Sequence, residues 1–418
     1  MKRFFCLFLC LATIFCFTAC GDSEDTEKLA DWKPEGEYPT INQKFTRESL
    51  NELPIKRTDM TEEEARKLVV DFMYFSKLRA LYTPSEEYHY DITPIYPDEF
   101  IKGKVYSGMA FMNTGCGNIY RLLDIMDEES GVLNLNDLKA NIDLFSNTGP
   151  SACYWAWGRV CSSIGYSRLA NMTHANGYLR VGPYTYSDTL TAFSETDNTV
   201  DICNNNGLTT MCQSYAAMKP ADAMITSTAQ NTQMLMVTQK VNVVYFEGTQ
   251  DIDPTNSTIT YVDQNYIWGE QANDAGDTFL CKNNVDDTYT FMELFNKGYI
   301  PFTIAELNGT KPIEETKVEI DLSGDSVTTE DLFSANVTSN FGISDVYITL
   351  RNDNGNDVYR HIVRATLAGV KELKLSETGN NVFTQGDLTA LSGDYTVEIS
   401  VQLSTGERPV LYTGTVEF

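Results

Sequence analysis

The sequence predicts an α+β domain followed by an all-β sandwich, and three observations predict it. Residues 147–165, reading NTGPSACYWAWGRVCSSIG, carry apolar side chains at helical spacing. Short strand-like runs follow, at 233–238 and 258–262, and beyond Asn308 the apolar period switches from 3.6 to two. At 418 residues the chain exceeds one ordinary core and suits two or three domains.

The first 20 residues read as a targeting segment outside the fold. Lys2 and Arg3 supply its positive start and 4–17 its apolar run, too short to span a bilayer. Phe17-Thr18-Ala19-Cys20 resembles a bacterial lipobox, which implies cleavage before Cys20 and lipidation of its thiol. Gly21-Asp22-Ser23-Glu24-Asp25 resembles the acidic export tag of surface lipoproteins in Bacteroidetes-type bacteria. The expectation is an outer-membrane or cell-surface protein held to the membrane through lipid on Cys20. Residues 21–58 are polar, acidic and Pro-containing, and read as a tether. A formal charge of −27 repels polyanions and excludes nucleic acid as a partner, while 42% hydrophobic content excludes wholesale disorder.

The α+β domain is expected over 59–307. Thr61 with Glu64 makes a capping box, and Ala65, Leu68, Val69 and Phe72 keep the helical period behind it. Residues 82–100 lack a period and read as a wrapping segment; 133–145 suggest a helix packing through Leu135, Leu138, Ile142 and Phe145. The organising helix is expected to start at Pro150, where a missing N–H is harmless. Cys153, Trp157, Val160, Cys161 and Ile164 then share a buried face, with Gly158, Arg159 and Ser162 elsewhere.

Six cysteines lie beyond Cys20, at 116, 153, 161, 203, 212 and 281. An even count in an exported chain permits disulfides, but Cys153 and Cys161 sit about 12 Å apart along one helix and cannot bond to each other. Cys-x-x-Cys spacing is absent and the histidines number three, so no metal site is expected. Phosphate loops, nucleotide fingerprints and Ser nucleophile elbows are also absent, so no cofactor is expected.

Four motifs in order carry a family likeness: Tyr106-x-Gly108-x-x-Phe111, the helix with Trp155-Ala156-Trp157-Gly158, Lys219-Pro220-Ala221-Asp222, and Thr232-Gln233-Met234-Leu235-Met236-Val237. Together, over roughly 106–307, this order resembles the NlpC-type cysteine peptidases. The resemblance implies a papain-like fold, in which a helix bearing the nucleophilic Cys packs on an antiparallel sheet whose strands carry His and a third polar residue. It also implies cell-wall peptides as the substrate class. Residue by residue, Pro220-Ala221-Asp222 stands for the family's Pro-Gly-Asp, and Gln233 occupies the His position. Asp263 or Gln264 stands at the third polar position.

Two registers remain for the nucleophile. Matching Cys153 to the family Cys leaves Ala152 and Tyr154 where the family has Asp and Ser. Matching the Trp157-Gly158 pair instead puts Gly149 at the Cys position and Thr148 at the Asp position, with Cys153 a turn inside the helix and facing the core. Gln233 cannot take a proton, and general-base assistance is typically worth about 10² to 10⁴ in rate. A thiol mechanism would therefore need Cys153 with an unfamiliar base such as His174, on the polar loop after the helix, and Asp263.

Weaker signals complete the chain. The oxygen-rich stretches 201–207 and 250–253 lack calcium-loop spacing and read as turns. Trp155, Trp268, Tyr266, Tyr184 and Tyr186 are candidates to line a peptide or sugar groove. Residues 308–316 read as a linker. Over 317–418, Val318/Ile320/Leu322, Val346/Ile348/Leu350, Val397/Ile399/Val401/Leu403 and Val410/Tyr412 alternate with polar partners, and Asn352-Asp353-Asn354-Gly355 and Leu391-Ser392-Gly393-Asp394 mark turns.

The sequence thus points to a lipid-anchored surface protein whose central domain binds peptide or glycan without cleaving it, through a remnant cleft at Gln233, Gln264 and Trp268. The rivals are a cysteine peptidase or amidase using Cys153, and a purely structural surface component. Nothing in the sequence sets an oligomeric state.

Overall fold

The computed structural model describes residues 32–93, 96–164, 177–186, 198–228, 232–389 and 391–418. It is a mixed α+β protein with several sheets and no barrel. Its organising helix spans Gly149–Trp157. Thr148 caps it: the hydroxyl accepts from the Ser151 N–H at 3.3 Å, and the Ser151 hydroxyl accepts from the Thr148 N–H at 2.8 Å. Pro150 lies in the first turn, where it leaves no hydrogen bond unmade.

The helix is shorter than its periodicity suggests. It ends at Trp157, and Val160, Cys161 and Ile164 are buried beyond it in turns rather than on a helical face. The expected one-sided stripe is also absent, because Tyr154, Trp155, Arg159 and Ser162 are buried too. Both differences have one cause: neighbours enclose this segment on every side, and a segment buried all round has no polar face to display.

A six-stranded sheet lies against the helix. Its order is Val285–Thr290, Thr258–Asp263, Thr232–Val237, Ala223–Ser227, Ile300–Ile304 and Tyr178–Arg180, with every neighbouring pair antiparallel. The register sets Leu235 opposite Asp263 and Ala223 opposite Met236. Helix Glu62–Tyr74 begins at the Thr61/Glu64 capping box and buries Ala65, Leu68, Val69 and Phe72. From it Arg66 reaches the Asp222 carboxylate at 2.8 Å and the Leu307 carbonyl at 2.9 Å, both buried, pinning the helix to the sheet. Helix Thr199–Ala216 packs on Ala223–Ser227 and Ile300–Ile304. Residues 201–207, expected as turns, belong to this helix, which kinks where Gly207 has φ 79°. Their polar side chains decorate a helix surface instead of closing a loop.

Residues 82–100 do not simply wrap the fold. Leu81–Pro84 is the fourth strand of a second six-stranded sheet, between Tyr106–Ser107 and Val132–Leu133, and Tyr88–Thr93 pairs with Tyr96–Phe100. All four residues of Leu81–Pro84 are buried, which removes the alternation that would have announced a strand. Rings of Tyr82, Phe100, Tyr106 and Trp268 lock these strands together, with Tyr106 meeting Trp268 edge-on at 4.8 Å. The expected helix over 133–145 is split into Leu135–Ala140 and a 3₁₀ turn, Ile142–Phe145, by Asn141 at φ −157°.

The C-terminal region forms seven strands threaded by one long strand, Asn336–Arg351. Its first half pairs with Val318–Ile320 and Val370–Lys374, and its second half with Asp357–Arg364 and Asp394–Leu403. Val346, Ile348, Leu350, Val397, Ile399, Val401 and Leu403 fill a core of their own. Gly355 at φ 78° and Gly393 at φ 98° sit in the two expected turns.

A buried ionic seam joins the two regions. Arg121, fully buried on helix Ile119–Asp124, donates to Asp345 at 3.1 Å and to the carbonyls of Ser344 and Ala365 at 3.0 and 2.8 Å. Arg364 returns the contact, reaching Asp124 at 2.9 Å and Asp345 at 3.3 Å. Among the described residues no helix is long and apolar enough to cross a membrane. All six cysteines beyond Cys20 are free and buried; Cys20 lies outside the described residues.

Candidate functional site

The Gly149 end of the helix meets strand Thr232–Val237 at close quarters. A Cβ on Gly149 would stand 2.4 Å from the Met234 carbonyl oxygen, well inside contact distance. The strand and the helix N-terminus can approach this far only because residue 149 has no side chain. No thiol can occupy that position without moving the strand.

Cys153, one turn later, is a core residue. Its exposure is 1%, and burial pushes its thiol up to about 12, only partly offset by the Lys77 ammonium. At neutral pH the thiolate fraction is then on the order of 10⁻⁵. The placement corrects the catalytic role considered for Cys153: the helix is sealed at this turn, so the sulfur neither meets solvent nor ionises. His174 lies outside the described residues. Of the other histidines, His89 is exposed on strand Tyr88–Thr93 and pairs with Glu99 at 2.9 Å. His361 is buried in the C-terminal core, its Nε2 2.6 Å from the Asn381 carbonyl.

Gln233 and Asp263 are brought together. The Gln233 Nε2 donates to Asp263 Oδ2 at 2.8 Å, and its Oε1 accepts from the Tyr299 hydroxyl at 2.6 Å. These partners fix the amide's orientation, since a carboxylate only accepts and the phenol here donates. Asp263 also accepts from the Asn284 N–H at 2.9 Å and from its side-chain amide at 3.1 Å. Burial raises the Asp263 carboxyl above its ordinary range, against the opposing pull of Asn284, Lys77 and Gln233. The assembly is a closed set of hydrogen bonds. It lacks any group with a proton affinity suited to deprotonating a thiol.

Gln264, the next residue, serves a different contact. Its Oε1 accepts from the Lys77 ammonium and its Nε2 donates to the Met109 carbonyl at 3.1 Å. Lys77 is 1% exposed on the π-helical segment Phe75–Arg79, and burial lowers its ammonium to about 8 despite Cys153, Asp263 and Cys281 nearby. Gly108 makes room for this segment: it holds φ 72°, and a Cβ there would stand 3.1 Å from the Ser76 carbonyl. Beside Lys77, Ala152 and Trp155 the free space is about 10 Å³, room for no more than one water and far too little for a substrate.

The aromatic candidates divide. Trp155 and Tyr184 are core, donating to the carbonyls of Cys116 at 3.0 Å and Pro301 at 2.8 Å. Trp268 is half-buried, bonded to Asp98 at 2.8 Å and covered by the Lys282 ammonium at 4.8 Å. Tyr266 and Ile267 are 48% and 60% exposed, and Tyr266 meets the half-buried Phe111 ring at 6.4 Å. Near Gln233, half-buried Tyr289 stacks on Tyr261 at 4.8 Å and contacts Tyr299 at 5.9 Å. Sequence reasoning missed Lys77, Asn284 and Tyr299. A lysine among apolar residues reads as a snorkelling surface group, and only the fold reveals that its ammonium never reaches water.

Among the described residues no group of three or more His, Cys, Asp or Glu side chains is arranged to hold a metal ion. Compared with known protein families and with curated proteins, the chain matches no family model and no curated sequence.

Proposed function

We propose that this chain is an exported surface protein, lipid-anchored at Cys20, whose α+β region has the plan of an NlpC-type, papain-like thiol peptidase without its chemistry. It recognises cell-wall or other peptide or glycan material and releases it uncut. The C-terminal all-β region acts as a sandwich-type spacer. The observation that carries this reading is Gln233 held between Asp263 and Tyr299 at the position where the resemblance expects histidine. An amide there can orient a carbonyl or a water but cannot accept a thiol proton. The sealed sulfur of Cys153 supports the same reading.

Recognition then falls to the accessible apolar side chains, Tyr266 and Ile267 beside the half-buried Phe111 ring, and half-buried Tyr289 near Gln233. Such side chains offer apolar faces to peptide side chains or sugar rings at little entropic cost. The test is calorimetric titration of the full chain with muropeptides, followed by chromatography of the recovered ligand. Binding with intact ligand, weakened about tenfold in Tyr266→Ala with Ile267→Ser, is expected. Cleavage that disappears in Cys153→Ser would sink the reading, and absence of any binding would leave a structural surface component.

A further inference from the structure

The space of about 10 Å³ beside Lys77 lies between helix Glu62–Tyr74 and the start of the organising helix, and every residue on its wall is buried. Ser76, Lys77, Asn118 and Asn147 bring polar side chains to residues of that wall, and most of the remainder is apolar. We infer that this space is a binding site for a single water molecule, which accepts from the Lys77 ammonium and donates to the side-chain carbonyl of Asn147.

Two of the four polar residues are already committed. The Ser76 hydroxyl donates to the Phe72 carbonyl. Asn118 donates to the Ser344 hydroxyl at 2.7 Å and accepts from the Tyr120 N–H at 3.0 Å. The other two have capacity to spare. Asn147 is 4% exposed, and its Oδ1 is a buried acceptor with no partner among the described residues. The Lys77 ammonium carries three N–H donors and reaches one acceptor among the described residues, the Gln264 side-chain carbonyl. Buried polar groups left unmatched are unfavourable, and here a spare donor and a spare acceptor border one space.

Size and charge choose the occupant. A water needs roughly 10–15 Å³ of such volume and two to four polar partners, so the space takes one and nothing larger. The ammonium repels a cation, and the lone pairs of the Asn147 oxygen repel an anion. A neutral molecule that both accepts and donates meets the two conditions together. The bridge ties the π-helical segment Phe75–Arg79 to the residue just before the Thr148 cap, so this polar link between the two helices runs through the water.

The site is independent of the surface at Tyr266 and Ile267, because ligand recognition there can fail while the water stays. In the full chain with methyl-labelled Met and Ala, water-to-methyl NOEs are expected at Met73, Met109 and Ala152, which line the space, with the sign of a molecule that tumbles with the protein. The Ser76 hydroxyl and the Lys77 ammonium also exchange with solvent and could relay such a signal. Asn147→Leu separates the two sources: it removes the acceptor at nearly constant volume and leaves both exchanging groups in place, so the cross-peaks are expected to vanish. A crystal of the parent is expected to show one ordered water within about 3.2 Å of both Lys77 Nζ and Asn147 Oδ1. If Asn147→Leu fails to fold, that density decides alone. Absent cross-peaks in the parent, cross-peaks that survive in Asn147→Leu, an empty space in the crystal, or anomalous density there after a bromide soak overturns the assignment.

Discussion

Gln233 donates its amide hydrogen to Asp263 across 2.8 Å, on adjacent antiparallel strands whose register sets Leu235 opposite Asp263. The pair unites a strand residue that cannot ionise usefully with a carboxyl that burial has pushed up. Asn284 closes one side of the carboxyl and Tyr299 closes the far side of the amide. A site whose carboxyl, amide and phenol are tied to one another by hydrogen bonds is built to hold a shape rather than to move a proton.

Restoring an imidazole should therefore restore nothing. In Gln233→His the ring has Asp263 to orient it, but the Cys153 sulfur stays sealed, and fluorogenic peptide hydrolysis is expected to remain at background. Gln233→Ala leaves Asp263 and the Tyr299 hydroxyl each short of a partner and should destabilise the protein by about 1–3 kcal/mol, read from urea denaturation. Hydrolysis in the histidine variant that vanishes when Cys153→Ser is added contradicts this account of the sulfur.

Thiol labelling gives a direct measure of the same point. With its thiol near 12 rather than the ordinary 8.5, Cys153 should react with iodoacetamide at least about 10³-fold more slowly than a free thiol, and faster only after denaturation. Peptide mapping after timed labelling locates the modified residue. Prompt native-state labelling at 153 shows an open cleft instead of a core.

The contrast between what was legible and what was not follows physical range. Thr61 with Glu64 and Pro150 at a first helical turn are local devices, complete within four residues, and they place two helix starts. Period-two runs at 346–350 and 397–403 were readable because apolar and polar side chains alternate along them. Leu81–Pro84 was not, since burial on both faces erases alternation. Gln233 stood out as a non-base, yet its partner Tyr299 is 66 positions away, and Asn284, which closes the same network through Asp263, carries no motif either. Lys77 is the same problem in its hardest form, because its meaning depends wholly on what covers it.

The seam between the regions should behave as a structural clamp. Asp345→Ala leaves the Arg121 guanidinium, fully buried, with only carbonyl partners. Removing one side of a buried ion pair typically costs about 3–5 kcal/mol, because the remaining charge is uncompensated. Calorimetry is expected to show a lower unfolding temperature, with a single transition in the parent separating into two as the regions uncouple. An unchanged single transition contradicts the clamp.

Strand Thr232–Val237 gives a steric test. Gly149→Ala puts a methyl group 2.4 Å from the Met234 carbonyl, which the backbone must relieve by shifting. Overpacking of this kind costs typically about 1–3 kcal/mol. Denaturant midpoints should fall accordingly, whereas Gly355→Ala, with open space around its Cβ, should lose only what its φ of 78° exacts.

Lys77 makes stability depend on alkaline pH. The native ammonium releases its proton near 8, while the unfolded chain holds it to the ordinary value of 10.5. Between those limits the unfolded state binds more protons, so the stability of the native state rises with pH. Below pH 8 the native protein bears the full penalty of a buried charge, and the penalty is relieved as the pH climbs. A shift of this size corresponds to about 3 kcal/mol across the window. Lys77→Met removes the titrating group, so the difference in stability between parent and variant should change by that amount from pH 8 to 10.5, measured by urea denaturation at each pH. The variant also strips Gln264 of its donor, which lowers stability by a similar amount at every pH and leaves the slope untouched. The slope therefore isolates the ammonium: parallel pH profiles for parent and Lys77→Met would show that this lysine titrates in the native protein as it does in water.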